Sequence, residues 1–210
     1  MNQIIKPEDH LPATQYDDPF AEIAAELSFP TFLEYTKGVW DIKEESVPLG
    51  TEFAAFLDQL HRGYIKFNED GPPGLVIAKV TDRKVMRHEC GDLDESEWDT
   101  DPVTGEPKDP WQPTMQLPMS PVDRIGEMVV FSAVSGGALS AVAKLCDTYH
   151  NVRRKNVLPI VALGTSSYKH KKFGTVHVPV LKLVRWHQTA PDLGESENPA
   201  PADPDDEIPF

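Results

Sequence analysis

A mainly β domain with one helix is what this sequence predicts, on three observations. Short apolar runs recur between clusters of Gly, Pro and acidic residues. One segment alone, after Ser135-Gly136-Gly137, carries apolar residues at helical spacing. Both ends are polar and rich in proline and acid, so the folded part is smaller than the 210-residue chain. Its 20 prolines are nearly one residue in ten, about twice the ~5% of ordinary usage.

In chain order, residues 1–28 read as an N-terminal arm with a short apolar signal at Phe20 to Leu27. The core spans 29–187. Strand signals begin with Val39-Trp40 and continue in EFAAFLDQL at 52–60, YIKF at 64–67 and LVIAKV at 75–80, separated by Gly63 and by GPPG at 71–74. The 52–60 run fits a strand or a short helix, because its apolar positions satisfy both periods. Residues 88–125 hold most of the internal acid and several prolines, and read as a long loop or acidic insertion. EMVVFSAV at 127–134 is a strand. In the helix that follows, Leu139, Val142, Ala143, Cys146 and Tyr149 form the expected apolar stripe. VLPIVALG at 157–164 and TVHVPVLKLVRW at 175–186 are the last strands, and 188–210 is expected to be disordered. This order can be laid onto a five-stranded Greek-key barrel of the oligonucleotide-binding type, with its helix between strands 3 and 4.

The net charge of −14 argues at first against a polyanionic partner, but the charge is unevenly placed. Residues 1–28, 89–109 and 188–210 together carry −20, whereas 115–187 carry +7. A basic half-domain decorated with acidic segments is one form a nucleic-acid-binding protein takes; a solvated charged face is the plainer explanation. No run approaches the ~18 apolar residues of a membrane span, and the N-terminus lacks a signal-peptide pattern. Cys90 and Cys146 form no disulfide framework and suit a reducing cytoplasm.

The last segment, PDLGESENPAPADPDDEIPF, ends in Ile208-Pro209-Phe210. A disordered acidic chain has no structural use for an apolar terminus, so this one suits a pocket on another protein. Phe210 would fill an apolar hole, its α-carboxylate would meet a cation, and Asp205, Asp206 and Glu207 would lie along a basic rim. DDEIPF resembles the acidic tip of bacterial single-stranded-DNA-binding proteins, whose tails end in aspartates followed by Ile-Pro-Phe. The resemblance covers six residues closely and the rest of the tail in manner. It implies an oligonucleotide-binding barrel that coats single strands, with a tail that recruits replication, recombination and repair enzymes in the bacterial cytoplasm or nucleoid. The arm and the acidic insertion depart from the familiar pattern and suit a phage-borne or divergent member; assembly of several copies stays open.

Binding single strands without sequence preference needs cations for phosphates and aromatic faces for bases. Tyr168, Lys169, His170, Lys171, Lys172 and Phe173 supply both in an expected loop between the last two strands. Arg62, Tyr64 and Lys66 alternate along a strand and would form an outward strip, with Phe67 turned to the core. Arg153, Arg154 and Lys155 follow the helix, where they suit phosphates and the helix dipole equally. Arg83, Lys84 and Arg87 form a looser basic extension. Trp40 and Trp186 read as core or barrel-end plugs, while Trp111 fits either an ordering role in the insertion or a stack on a base.

Catalytic and cofactor readings find less support. His61, His88, Cys90 and Cys146 reproduce no zinc spacing, and Asp92, Asp94, Asp99 and Asp101 lack the Gly and Glu of a calcium loop. Ser135-Gly136-Gly137 lacks the Lys-Ser/Thr of a nucleotide loop. A non-enzymatic protein without metal or cofactor is therefore expected. The alternative is an acidic decoy or adaptor that meets tip-recognising host enzymes without binding DNA.

Overall fold

The computed structural model describes residues 31–69, 71–102, 104–124, 127–152, 157–172 and 174–188. The arm at 1–28, Arg153, Arg154, Lys155, Phe173 and the tail with its Asp205–Phe210 tip lie outside the described residues.

Among the described residues the architecture is mainly β: one curled, half-barrel sheet with a single long helix. It opens with a meander the sequence shows only in part, β1 (Thr31–Thr36), β2 (Val39–Ile42) and β3 (Glu45–Val47). The two-period run at 52–60 uses both of its periods in turn. Phe53 and Ala55 are buried two apart on β4 (Glu52–Ala55), and a 3₁₀ turn over Leu57–Gln59 then leads into β5 (His61–Lys66). β6 (Gly74–Lys79) pairs back on β5. Short strands β7 (Asp99–Thr100) and β8 (Pro107–Lys108) pair with each other within the acidic segment. They are followed by β9 (Trp111–Pro121), β10 (Val129–Ala133), helix α1 (Gly136–Val152), β11 (Val157–His170) and β12 (Gly174–Gln188).

The sheet runs β12-β11-β4-β9-β10-β1-β2-β3, with the β5–β6 pair attached to β9. β1 lies parallel on β10; the other pairings are antiparallel. The curl brings the first strands over β11, where the Trp40 indole N–H donates to the Gly164 carbonyl at 2.9 Å and the Tyr35 and Thr165 hydroxyls share a hydrogen bond. Trp40 is fully buried, as a core plug should be, and packs against Phe131 and Tyr35 with ring centroids 5.1 and 4.9 Å away.

The long-loop reading of 88–125 is corrected by β9, which pairs with β4, β5 and β10 and buries Leu117 and Met119. Its prolines hid it, since proline is ordinarily confined to strand edges. Here the neighbours are staggered. β5 covers residues 111–116, β10 covers 115–119 and β4 covers 119–121. Pro113 and Pro121 fall where β9 has a neighbour on one side only, so the ladder can do without their N–H, and Pro118 lies between the β5 and β4 pairings, where the Phe56 N–H donates to its carbonyl just past the end of β4.

Two further expectations are corrected. The buried face of α1 is Ala138, Ala141, Val142 and Leu145, with Leu139, Cys146 and Tyr149 at its margin and Ala143 exposed. The stripe is thus turned toward the small residues, which let the helix lie close on the sheet. Phe67 is 59% exposed rather than in the core: β5 ends at Lys66, beyond which no ladder holds the chain over the apolar face. Trp186 is half-buried, its ring 6.1 Å from that of Tyr149.

Candidate functional site

The expected loop at 167–174 is largely strand. β11 continues to His170 and β12 begins at Gly174, so Tyr168, Lys169 and His170 ride on a projecting hairpin with Lys171 and Lys172 in its turn. Every described residue from Thr165 to Thr175 is exposed, Tyr168 by 53%. A tight turn forms because Gly174 takes a φ of +71°, open to glycine, and the Lys172 N–H donates to Nδ1 of His170 at 3.2 Å. Among the described residues no carboxylate pairs with Lys169, Lys171 or Lys172. Register places Tyr168 opposite Val176 and Lys169 opposite Thr175, so the ring and that lysine lie on opposite faces.

On β5, Gly63 and Ile65 turn inward, leaving Arg62, Tyr64 and Lys66 together on the other face. Gly63 is required there: a Cβ would collide with the Val76 carbonyl on β6. The far end of this strip is occupied from within the chain. Oδ2 of Asp92 accepts from Nζ of Lys66 at 2.9 Å and from Nε1 of Trp111 at 2.7 Å. These two bonds, Lys66 first, hold the Asp92 carboxyl below the usual carboxylate range.

Arg87 organises this cover. Its Nε and Nη2 donate to the two oxygens of Asp109, both at 2.7 Å, and Nη1 and Nη2 reach the carbonyls of Gly91 and Asp92. The guanidinium lies 5.7 Å from the Trp98 ring centroid, and the Trp98 indole N–H donates to the Asp92 carbonyl. Asp92 itself is held at a φ of +49°, which aims its side chain back at β5. The bond to Arg87 lowers the pKa of Asp109 and raises that of Arg87. Trp111 is 9% exposed and orders the acidic segment, which settles its two readings.

The basic residues predicted from sequence therefore separate into three groups. Lys169, Lys171, Lys172 and Arg62 have no acidic partner among the described residues. Lys66, Arg83 and Arg87 are matched by Asp92, Glu89 and Asp109. Arg153, Arg154 and Lys155 are outside the described residues. In the sheet the hairpin and the β5 strip are separated by β4 and β9, so strand pairing does not join them into one patch. Sequence reasoning missed Arg87 as a structural residue because its partner is 22 positions away.

Cys90 and Cys146 are half-buried, and desolvation raises both thiol pKa values. Among the described residues no group of three or more His, Cys, Asp or Glu could hold a metal ion, and no helix is long and apolar enough to cross a membrane. No family model matches the chain, and no curated protein or solved structure matches it either.

Proposed function

We propose that this chain binds single-stranded DNA through its β core and recruits replication, recombination or repair enzymes through the acidic DDEIPF segment. The observation that carries the reading is the projecting hairpin: in a chain of net charge −14, it presents three lysines that have no acidic partner among the described residues, beside an exposed tyrosine. Lysines there would neutralise phosphates and release counterions, and Tyr168 would stack a base for about 1–3 kcal/mol.

Strand pairing supports an oligonucleotide-binding type of barrel beneath the hairpin. With β4 and β5 taken as one interrupted strand and β6 to β8 as an excursion between it and β9, the order is β4/β5, β9, β10, α1, β11, β12, and the first strand pairs antiparallel with the fourth through β4 and β11. Hairpins between the last two strands of such barrels lie beside the oligonucleotide face. β1 to β3 are then an addition along β10.

The test is fluorescence anisotropy of labelled poly-dT at low and moderate salt, with the full chain and with a chain ending at Gln188. Salt-dependent binding that persists or strengthens without residues 189–210 is the expected result. Strengthening at low salt would mean that the acidic tail competes for the lysines. Absence of binding by both chains at low salt would overturn the DNA reading and favour an acidic adaptor acting through DDEIPF alone.

A further inference from the structure

A groove of about 490 Å³ lies between the first half of α1 and the β11–β12 hairpin, lined by Gly136, Gly137, Ser140, Lys144, Tyr168 and Val178 among others. Its volume is in the range that holds a small ligand or one nucleotide unit. The helix side is open because its residues are small. Gly137 is required by close approach, since a Cβ there would stand 2.6 Å from a methyl of Val178, while Gly136 faces open space. Ser140 and Lys144, one turn apart, are exposed on the same side of α1.

Two facts give this groove a chemical preference. It has no carboxylate in its lining, whereas three other grooves among the described residues do: one holds Glu45 and Glu127, another Asp58, a third Glu52 and Asp123. It also joins an aromatic face to a cation. Register places Tyr168, Ser166 and Gly164 on one hairpin face with Val178 and Val180, and Lys182 continues that face. Lys169 lies on the opposite face, so the lysine that lines the groove with Tyr168 is Lys144. Among the described residues Lys144 has no acidic partner.

We propose that this groove is a nucleotide subsite, in which a base stacks on Tyr168 against the Val178–Val180 wall and the adjoining phosphate meets Lys144. The inference rests on the DNA-binding reading and adds α1 to the interface, which that reading leaves out. It implies that the strand runs between helix and hairpin rather than over the hairpin tip alone.

The test uses the full chain with Ser140→Trp, which fills the groove without changing charge, and Lys144→Gln, which keeps the shape. Labelled oligo-dT and an abasic oligomer of equal length are titrated by anisotropy across a salt series, and circular dichroism verifies folding. Ser140→Trp should weaken oligo-dT binding about tenfold, within what one lost stack produces, and leave the abasic oligomer within about twofold. Lys144→Gln should lower the salt slope by about 0.7 for both oligomers. If Ser140→Trp fails to fold, Ser140→Leu, which narrows the groove with a smaller side chain at the same exposed position, should give the same selective loss of oligo-dT binding. Native affinity and slope in both helix variants, with binding still lost when Lys169, Lys171 and Lys172 are replaced, would overturn the subsite and keep the DNA reading. No oligo-dT binding by the unmodified chain would overturn both.

Discussion

Replacing Lys169, Lys171 and Lys172 together by Gln tests the electrostatic core of the proposal, and its magnitude follows from the three lysines having no acidic partner among the described residues. A cation already paired within the protein has little counterion release to gain from a phosphate, whereas a free one contributes in full. For single strands each phosphate contact adds about 0.7 to the slope of log K against log salt, so the triple variant should lose about 2 units of slope. At ~0.1 M salt the same relation gives roughly a hundredfold weaker binding, and the two lines should converge as salt approaches ~1 M. The assay is anisotropy of labelled poly-dT at several salt concentrations, with thermal unfolding as control. Because these positions are exposed, stability should stay within about 0.5 kcal/mol. Parallel lines, or equal affinities at low salt, would refute the argument that these lysines meet phosphates.

Other perturbations test the remaining framework. Asp92→Asn removes the charge that holds Lys66, and should raise the poly-dT salt slope by up to about 0.7; an unchanged slope would mean the β5 strip meets no phosphate. Trp40→Phe removes the bond to the Gly164 carbonyl and part of a fully buried ring, at a cost of about 2 kcal/mol in urea unfolding, roughly half from each; a loss below about 0.5 kcal/mol would contradict the role of Trp40 in closing the curl. Arg87→Ala should destabilise the chain by about 1–2 kcal/mol at neutral pH, since it breaks a bidentate, partly exposed pair. The folded pKa of Asp109 is depressed, so its stabilisation is complete above the unfolded value of about 3.9 and fades as pH falls through the folded value. The difference between native and variant should thus be flat above about pH 5 and shrink below pH 4; a difference that grows on acidification would contradict this origin.

What the sequence determined by itself is what lies close together along the chain. Alternating apolar residues made β10, β11 and β12 legible, because in a strand half-buried on a core the period of two is written into successive positions. The helix was legible for the same reason, although not which way it turns: Ala143 and Ala141 are equivalent in composition, and only contact with the sheet decides that Ala141 is buried. The basic-aromatic cluster at 168–172 could be read because it is contiguous, and Arg62, Tyr64 and Lys66 because they alternate.

Only the tertiary structure decided the rest. The β9 prolines argue against a central strand until the stagger of β4, β5 and β10 shows that Pro113 and Pro121 have an open side and that Pro118 falls between the β5 and β4 pairings. β1 finds its parallel partner β10 almost a hundred residues later, a pairing no local pattern records. Which cations are paired within the chain was equally invisible, because Lys66 is neutralised by a carboxylate 26 positions away and Arg87 by one 22 away. Such pairs follow from the path of the chain between them. The groove beside α1 has the same origin: Lys144 and Tyr168 become neighbours only when small helix residues allow β12 to pack close. Local periodicity fixes which face of an element is apolar, and packing then fixes which charges and rings meet across the gaps.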